Sequence, residues 1–247
     1  MFDTYKEIFK KRGESYDLAM QKFPLARKQE FESLLDHIEF SENEIVVDIP
    51  SGGSYLTHYL PTFVKSIAVE NCREFINKTD SPNNIILSEP DKIAIENNSI
   101  DVLLSLAGIH HMSDKRPFFN EIKRVLKPSG RFCIADVSEN SAVHTFLDTI
   151  VHKYNSQGHH GDYLNEATLE NIQSCGLTIN NVMKKDLHWH FDEIDSAVEF
   201  CRLMFGLDNI NLTQFKDEMI AVLGIENQLQ GVSLHWQLMY ITGNKPE

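Results

Sequence analysis

Short apolar runs alternate with amphipathic stretches along most of the chain. Glu44 to Ile49 (EIVVDI), Val64 to Glu70 (VKSIAVE), Asn84 to Ser88 (NIILS), Asp101 to Leu106 (DVLLSL) and Arg131 to Val137 (RFCIADV) each predict a strand. The run in DVLLSL is continuous rather than alternating, the pattern of a strand covered on both faces. Helical spacing marks residues 3 to 12, and 22 to 38 with Phe23, Leu25, Phe31, Leu34, Leu35 and Ile38. A helix is predicted to begin at Tyr55 to Pro61, and an amphipathic one runs from Lys115 to Leu126. Lys127-Pro128-Ser129-Gly130 closes it, since proline cannot continue a helix and glycine makes the turn. Ser141 to Asn155 predicts another helix, and a further one ends at Gly176. Leu177 to Phe191 reads as one long strand or two broken ones. Residues 192 to 227 are mostly helical by pattern, and Ser233 to Thr242 alternates like a strand.

Five strand–helix units, a strand, a helical insert and a final strand predict a seven-stranded doubly wound α/β sheet. The chain reads as one domain, 1–247. Residues 1–40 are a helical lid and 41–140 a nucleotide-binding core. Residues 141–191 and 228–247 complete the sheet, and 192–227 form a cap. The 247 residues are 42% hydrophobic and 24% charged, enough to bury a sizeable core. The longest apolar runs reach about seven residues, far below the roughly 20 of a membrane helix. No apolar segment follows the first charges, so no secretory signal is expected. The four cysteines are scattered without a CxxC, which fits a reducing cytoplasm. A net charge of −13 argues against a nucleic-acid partner.

The chemistry concentrates where strands end. Val46 to Leu56 (VVDIPSGGSYL) is a strand ending in Asp48, then a small-residue loop, then a predicted helix. Ligands of open parallel sheets bind beyond such strand ends, where small residues let the backbone approach. The next strand ends in Glu70, placed to accept both hydroxyls of a ribose. Glu89 follows the third strand, near an adenine edge. A nicotinamide fingerprint fails, because Pro50, Gly52 and Tyr55 stand where GxGxxG requires glycines, and no Walker lysine exists. A nucleoside ligand without a pyrophosphate fits better.

These motifs together resemble a class I S-adenosylmethionine-dependent methyltransferase, in the ubiquinone/menaquinone-type branch. The resemblance covers residues 40 to 140 well. The family's D-h-G-x-G-x-G lies on Asp48-Ile49-Pro50-Ser51-Gly52-Gly53-Ser54, with Pro50 and Ser54 replacing two glycines. Its N-S-F-D segment lies on Asn98-Ser99-Ile100-Asp101 and its L-H-H segment on Ile109-His110-His111. Its R-V-L-K-P-G-G segment lies on Arg124 to Gly130. The resemblance implies a Rossmann-like, mostly parallel sheet with an antiparallel last strand, and S-adenosyl-L-methionine across the Pro50–Ser54 loop. It places the ribose on Glu70 with Asn71, and the adenine on Glu89 with Pro90. The methionine moiety falls beside Leu106 and Ala107, and Tyr16 of the lid touches the cofactor. Ser105-Leu106-Ala107-Gly108 stands where an N/D-P-P-Y/F tetrapeptide would mark methylation of planar nitrogens. This implies O- or C-methylation of a small molecule, with N-methylation allowed. A non-catalytic binding or scaffold protein with a degenerate loop is the alternative.

The chain carries 11 histidines. His110 and His111 follow the fourth strand, where the methyl donor should lie, and are the catalytic candidates. His159 and His160 stand in a Gly-flanked loop with Tyr163. His188 and His190, two apart, share one strand face opposite Trp189. These five are the candidate substrate-binding residues, and no metal is assigned. A homodimer is compatible with the sequence.

Overall fold

The computed structural model describes residues 5–76 and 84–247. Its centre is a sheet of β1 (Ile45–Asp48), β2 (Lys65–Glu70), β3 (Ile85–Leu87), β4 (Ile100–Leu106), β5 (Leu126–Asp136), β6 (Thr178–Phe191), β7 (Ile225–Asn227) and β8 (Val232–Asn244). The strand order is β3-β2-β1-β4-β5-β8-β6, with β7 pairing β8. β1 to β5 pair in parallel, whereas β8 runs antiparallel to β5 and β6. Among the described residues the sheet thus has eight strands rather than seven. The extra one is the three-residue β7 at the end of the insert. The stretch after Gly176 forms one 14-residue strand, with an irregularity between Ile179 and Asn181.

Continuous apolar runs are buried on both faces, as their pattern requires. Val46, Val47, Val102, Leu103 and Leu104 are fully buried, in two separate cores. One core packs under α4 (Arg116–Val125) through Phe118, Phe119 and Ile122. The other packs under α2 (Lys28–Leu35), α8 (Ile194–Met204) and α9 (Leu212–Leu223).

The first helix, α1, spans Tyr5–Lys22, longer than the expected 3–12, of which residues 3 and 4 lie outside the described residues. It runs through Gly13, where a Cβ would lie 3.9 Å from Glu74 and Phe75 of α3 (Arg73–Ile76). The expected helix at Tyr55 shrinks to one 3-10 turn, Tyr55–His58. Ser141 to Asn155 forms α5 (Ala142–Thr145), a π-helical stretch (Phe146–Val151) and α6 (His152–Tyr154). An Asn165–Thr168 capping box starts α7 (Glu166–Ser174). The carboxyl ends of β1, β2, β4 and β5 place Asp48, Glu70, Leu106 and Asp136 along one edge. α1 lies across that edge, its Tyr5 hydroxyl on Glu70 and its Phe9 ring against His111.

Candidate active site

The loop after β1 solves the problem that its proline creates. Pro50 has no N–H and a fixed φ, so the left-handed turns fall on Gly52 (φ 53) and Ser54 (φ 59). The Ile49–Pro50 peptide is cis. Gly108, after β4, makes room for the ring: a Cβ there would stand 2.3 Å from Pro50 Cγ. The Ser51 N–H donates to Val69 O (2.9 Å) and the Gly52 N–H to Glu70 Oε2 (2.7 Å).

Glu70 is fully buried and surrounded by donors. Its Oε1 accepts from the N–H groups of Asn71 (3.0 Å) and Cys72 (2.8 Å), and the Tyr5 hydroxyl donates to Oε2 (3.1 Å). Burial still pushes its carboxyl up to about 7, against those hydrogen bonds. Burial, and then the nearby Glu70, raise the Asp48 carboxyl well above its ordinary range. Asn71 Nδ2 donates to Glu89 (2.9 Å), whose other oxygen meets Lys6 at 3.3 Å, beside half-buried Pro90. The polar atoms Ser51 Oγ, Ser54 Oγ and Asn71 Oδ1 are buried without partners. Leaving such groups unpaired costs about 1–3 kcal/mol each. The cleft between Asp48, Pro50, Tyr16, Leu106 and Ala107 encloses about 50 Å³, because Tyr5, Phe9 and Tyr16 of α1 fill it. Small-molecule sites typically need about 300 Å³ or more.

A second cavity, about 60 Å³, adjoins it and shares Phe9, Tyr16, Arg27 and Ala107. His110, His111 and His159 line it. His110 sits in a 3-10 turn after β4, its Nδ1 2.7 Å from Asp136 Oδ1. Asp136 is fully buried and also accepts from the N–H groups of Ile109, His110 and Val137. Burial opposes its charge, but His110 and these donors hold its carboxyl below the ordinary range. His159 Nδ1 lies 3.1 Å from Asp148 Oδ1, which also receives Tyr163 OH (2.6 Å). Burial lowers His159 to about 4, with Asp148 opposing. Burial, then His110 and His159, push the His111 imidazole well below its ordinary value, so it is neutral at pH 7. Beyond them a larger pocket of about 390 Å³ is lined by His110, His111, His144, His160 and Tyr163.

The structure therefore joins His110, His111, His159, His160 and Tyr163. It does not join His188 and His190 to them. Those two share a face of β6 as expected, but Trp189 on the opposite face lines the cavity and stacks on Trp236 at 4.0 Å. His190 instead meets Ser233 and Gln29, because strand alternation turns it away from the cavity. His188 and His190 therefore stand apart from the cavity that His110, His111 and His159 line. Sequence reasoning missed Asp136, Asp148, and a buried Arg27–Glu30 pair (2.6 Å) lining the same cavity.

Residues 47–134 match the methyltransferase domain family. The fold is that of the class I S-adenosylmethionine-dependent methyltransferases. The YcgJ protein of Bacillus subtilis superposes with a TM-score of 0.67 at 19% identity, covering 89% of this chain and 99% of its own. A SAM-dependent methyltransferase of Thermotoga maritima gives 0.64 at 13% identity, covering 98% and 99%. Phosphoethanolamine N-methyltransferase 2 of Haemonchus contortus, in complex with phosphomonomethylethanolamine and S-adenosylhomocysteine, gives 0.65 at 13%, covering 99% and 61%. No curated protein matches the chain. Among the described residues no helix is long and apolar enough to cross a membrane.

Proposed function

We propose that the protein transfers a methyl group from S-adenosyl-L-methionine to a small-molecule acceptor. The observation that carries this is the set of unpartnered buried atoms, Ser51 Oγ, Ser54 Oγ and Asn71 Oδ1, around Glu70 at the strand ends. Glu70 would accept a ribose hydroxyl in the place of Tyr5, and Asn71 with Glu89 and Pro90 would border the adenine. Leu106 and Ala107 would flank the methionine portion. The bound cofactor supplies an electrophilic methyl group on a sulfonium, displaced in line by the acceptor. The chain's part is to align the two, which can supply much of the rate. His110 and His111 then face the acceptor end, and the 390 Å³ pocket, with His144, Asp162 and Tyr163 in its wall, offers a small acceptor hydrogen-bonding groups. The absence of the N/D-P-P-Y/F tetrapeptide favours O- or C-methylation, with N-methylation allowed. The motif likeness to the ubiquinone/menaquinone branch concerns the cofactor end and leaves the acceptor to this pocket.

Thermal unfolding with and without S-adenosylhomocysteine tests the reading. Ligand at 100 times its dissociation constant adds about 2.7 kcal/mol, a melting shift on the order of 5–10 °C at this size. Glu70→Ala should lose that shift. No shift at millimolar ligand would favour the scaffold reading, which the closed 50 Å³ cleft and Pro50 motivate.

A further inference from the structure

We propose that His110, His111 and His159 form a binding site for a divalent transition-metal ion at the acceptor end of the cleft. One ring nitrogen from each lies within 4.8 Å of the other two. They come from two parts of the chain, His110 and His111 from the turn after β4 and His159 from the loop after α6, and they converge on one cavity. Four-coordinate zinc with Zn–N bonds of about 2.1 Å needs nitrogens about 3.4 Å apart. Contractions of roughly an ångström, within the reach of ring rotations, close the difference.

The outer contacts are those of metal-bound histidines. His110 and His159 both turn Nδ1 to a carboxylate, Asp136 and Asp148, which leaves Nε2 as the ligand atom. Those carboxylates are themselves pinned, Asp136 by three backbone N–H groups and Asp148 by Tyr163 and Gly161. Asp136 and Asp148 also supply two negative charges beside the histidines, against the nearby cations Arg12 and Lys115. The His111 ring is packed edge-on by Tyr5 and Phe9. Asp148 belongs to the π-helical stretch, a local distortion often found at functional sites.

Three imidazoles without thiolate or carboxylate ligands select zinc, cobalt, nickel, copper or iron over magnesium or calcium. Three protein ligands leave a coordination position open, the pattern of reactive rather than structural sites. That position would take an oxygen or nitrogen of the acceptor. This use rests on the methyl-transfer reading; the metal site does not. A second group, His188, Glu226 and His235, also brings ligand atoms within 4.8 Å, but Glu226 and His235 are exposed on β7 and β8.

The test is titration of chelator-stripped full-length protein with Zn²⁺ by calorimetry, and with Co²⁺ by its visible absorption. Wild type should bind one ion whose affinity falls about 100-fold or more in His111→Gln and His159→Gln. Asp148→Asn should cost about 10–100-fold, and His188→Ala/His235→Ala should leave this ion unchanged. Circular dichroism checks that each variant is folded, and Asp148→Asn keeps the test sound if a histidine variant is not. No binding by wild type, or binding lost only in His188→Ala/His235→Ala, would overturn the proposal. Metal binding without any S-adenosylhomocysteine melting shift would support the site while sinking the methyl-transfer reading.

Discussion

Glu70 sets a pH dependence that can be measured directly. Its carboxyl, pushed up to about 7 by burial, would have to be ionised to accept a ribose hydroxyl in the proposed role. Below that value the free protein holds a proton that cofactor binding has to displace. Affinity for S-adenosylhomocysteine should therefore weaken as pH falls from about 7, by up to tenfold per unit, and level off above it. Glu70→Gln should bind weakly with no such slope. Calorimetry from pH 5.5 to 8.5 decides it, and a wild-type affinity flat across that range would refute the role of Glu70. The same residue scale shows what the sequence allowed. Asp48 and Glu70 were legible because each closes an apolar strand. Asp136 closes RFCIAD in the same way, so that signal was present and unused. Asp148 had none: it lies mid-helix, and only the π-helical stretch and the folding back of His159 bring the two together. The partner that matters is remote in sequence for His110 as well, 26 positions away.

At the scale of elements, α1 lies in the cleft through Tyr5, Phe9 and Tyr16. Its Tyr5 hydroxyl occupies an acceptor position on Glu70 that a ribose hydroxyl would need. Each carboxylate oxygen already receives two donors, three of the four being backbone N–H groups that cannot leave. Tyr5 is thus the donor that must yield, and α1 must shift to enlarge a 50 Å³ cleft. Tyr5→Phe removes a hydrogen bond with a net worth of about 0.5–1.5 kcal/mol, so S-adenosylhomocysteine should bind about 2- to 10-fold tighter. Equal or weaker binding by calorimetry would mean that Tyr5 is not in competition with the cofactor. The helix α1 runs on through Gly13 to Lys22, although glycine costs a helix interior about 1 kcal/mol relative to alanine. The strands fared better, since burial on both faces writes itself into a continuous apolar run. The helix expected from Tyr55 stops after one turn, at His58, three residues before Pro61.

Over the whole molecule, the N-terminal helices, the last strands and the insert meet around one buried polar cluster. Arg27 pairs with Glu30 at 2.6 Å and donates to Tyr16 OH, while Trp189 of β6 donates its indole N–H to Glu30. Arg12 of α1 reaches the Met204 carbonyl at the end of α8 (2.9 Å). Burial disfavours the Arg27 charge, but Glu30 and Tyr16 hold it protonated. This cluster floors the histidine cavity beside Trp189 and Trp236, so its loss should affect stability and site together. Glu30→Ala strands a buried guanidinium and an unpaired indole N–H. Breaking one side of such a pair costs roughly 3–5 kcal/mol, a fall in melting temperature on the order of 6–20 °C. Removing both charges with apolar residues, Arg27→Met with Glu30→Leu, ends that charge penalty. The residual cost is then about 1–3 kcal/mol for the Trp189 N–H. The double variant should melt above Glu30→Ala and below wild type. If Glu30→Ala instead melts within a degree or two of wild type, the cluster does not hold these elements together. A double variant melting below Glu30→Ala would show that the pair contributes packing that methionine and leucine cannot replace.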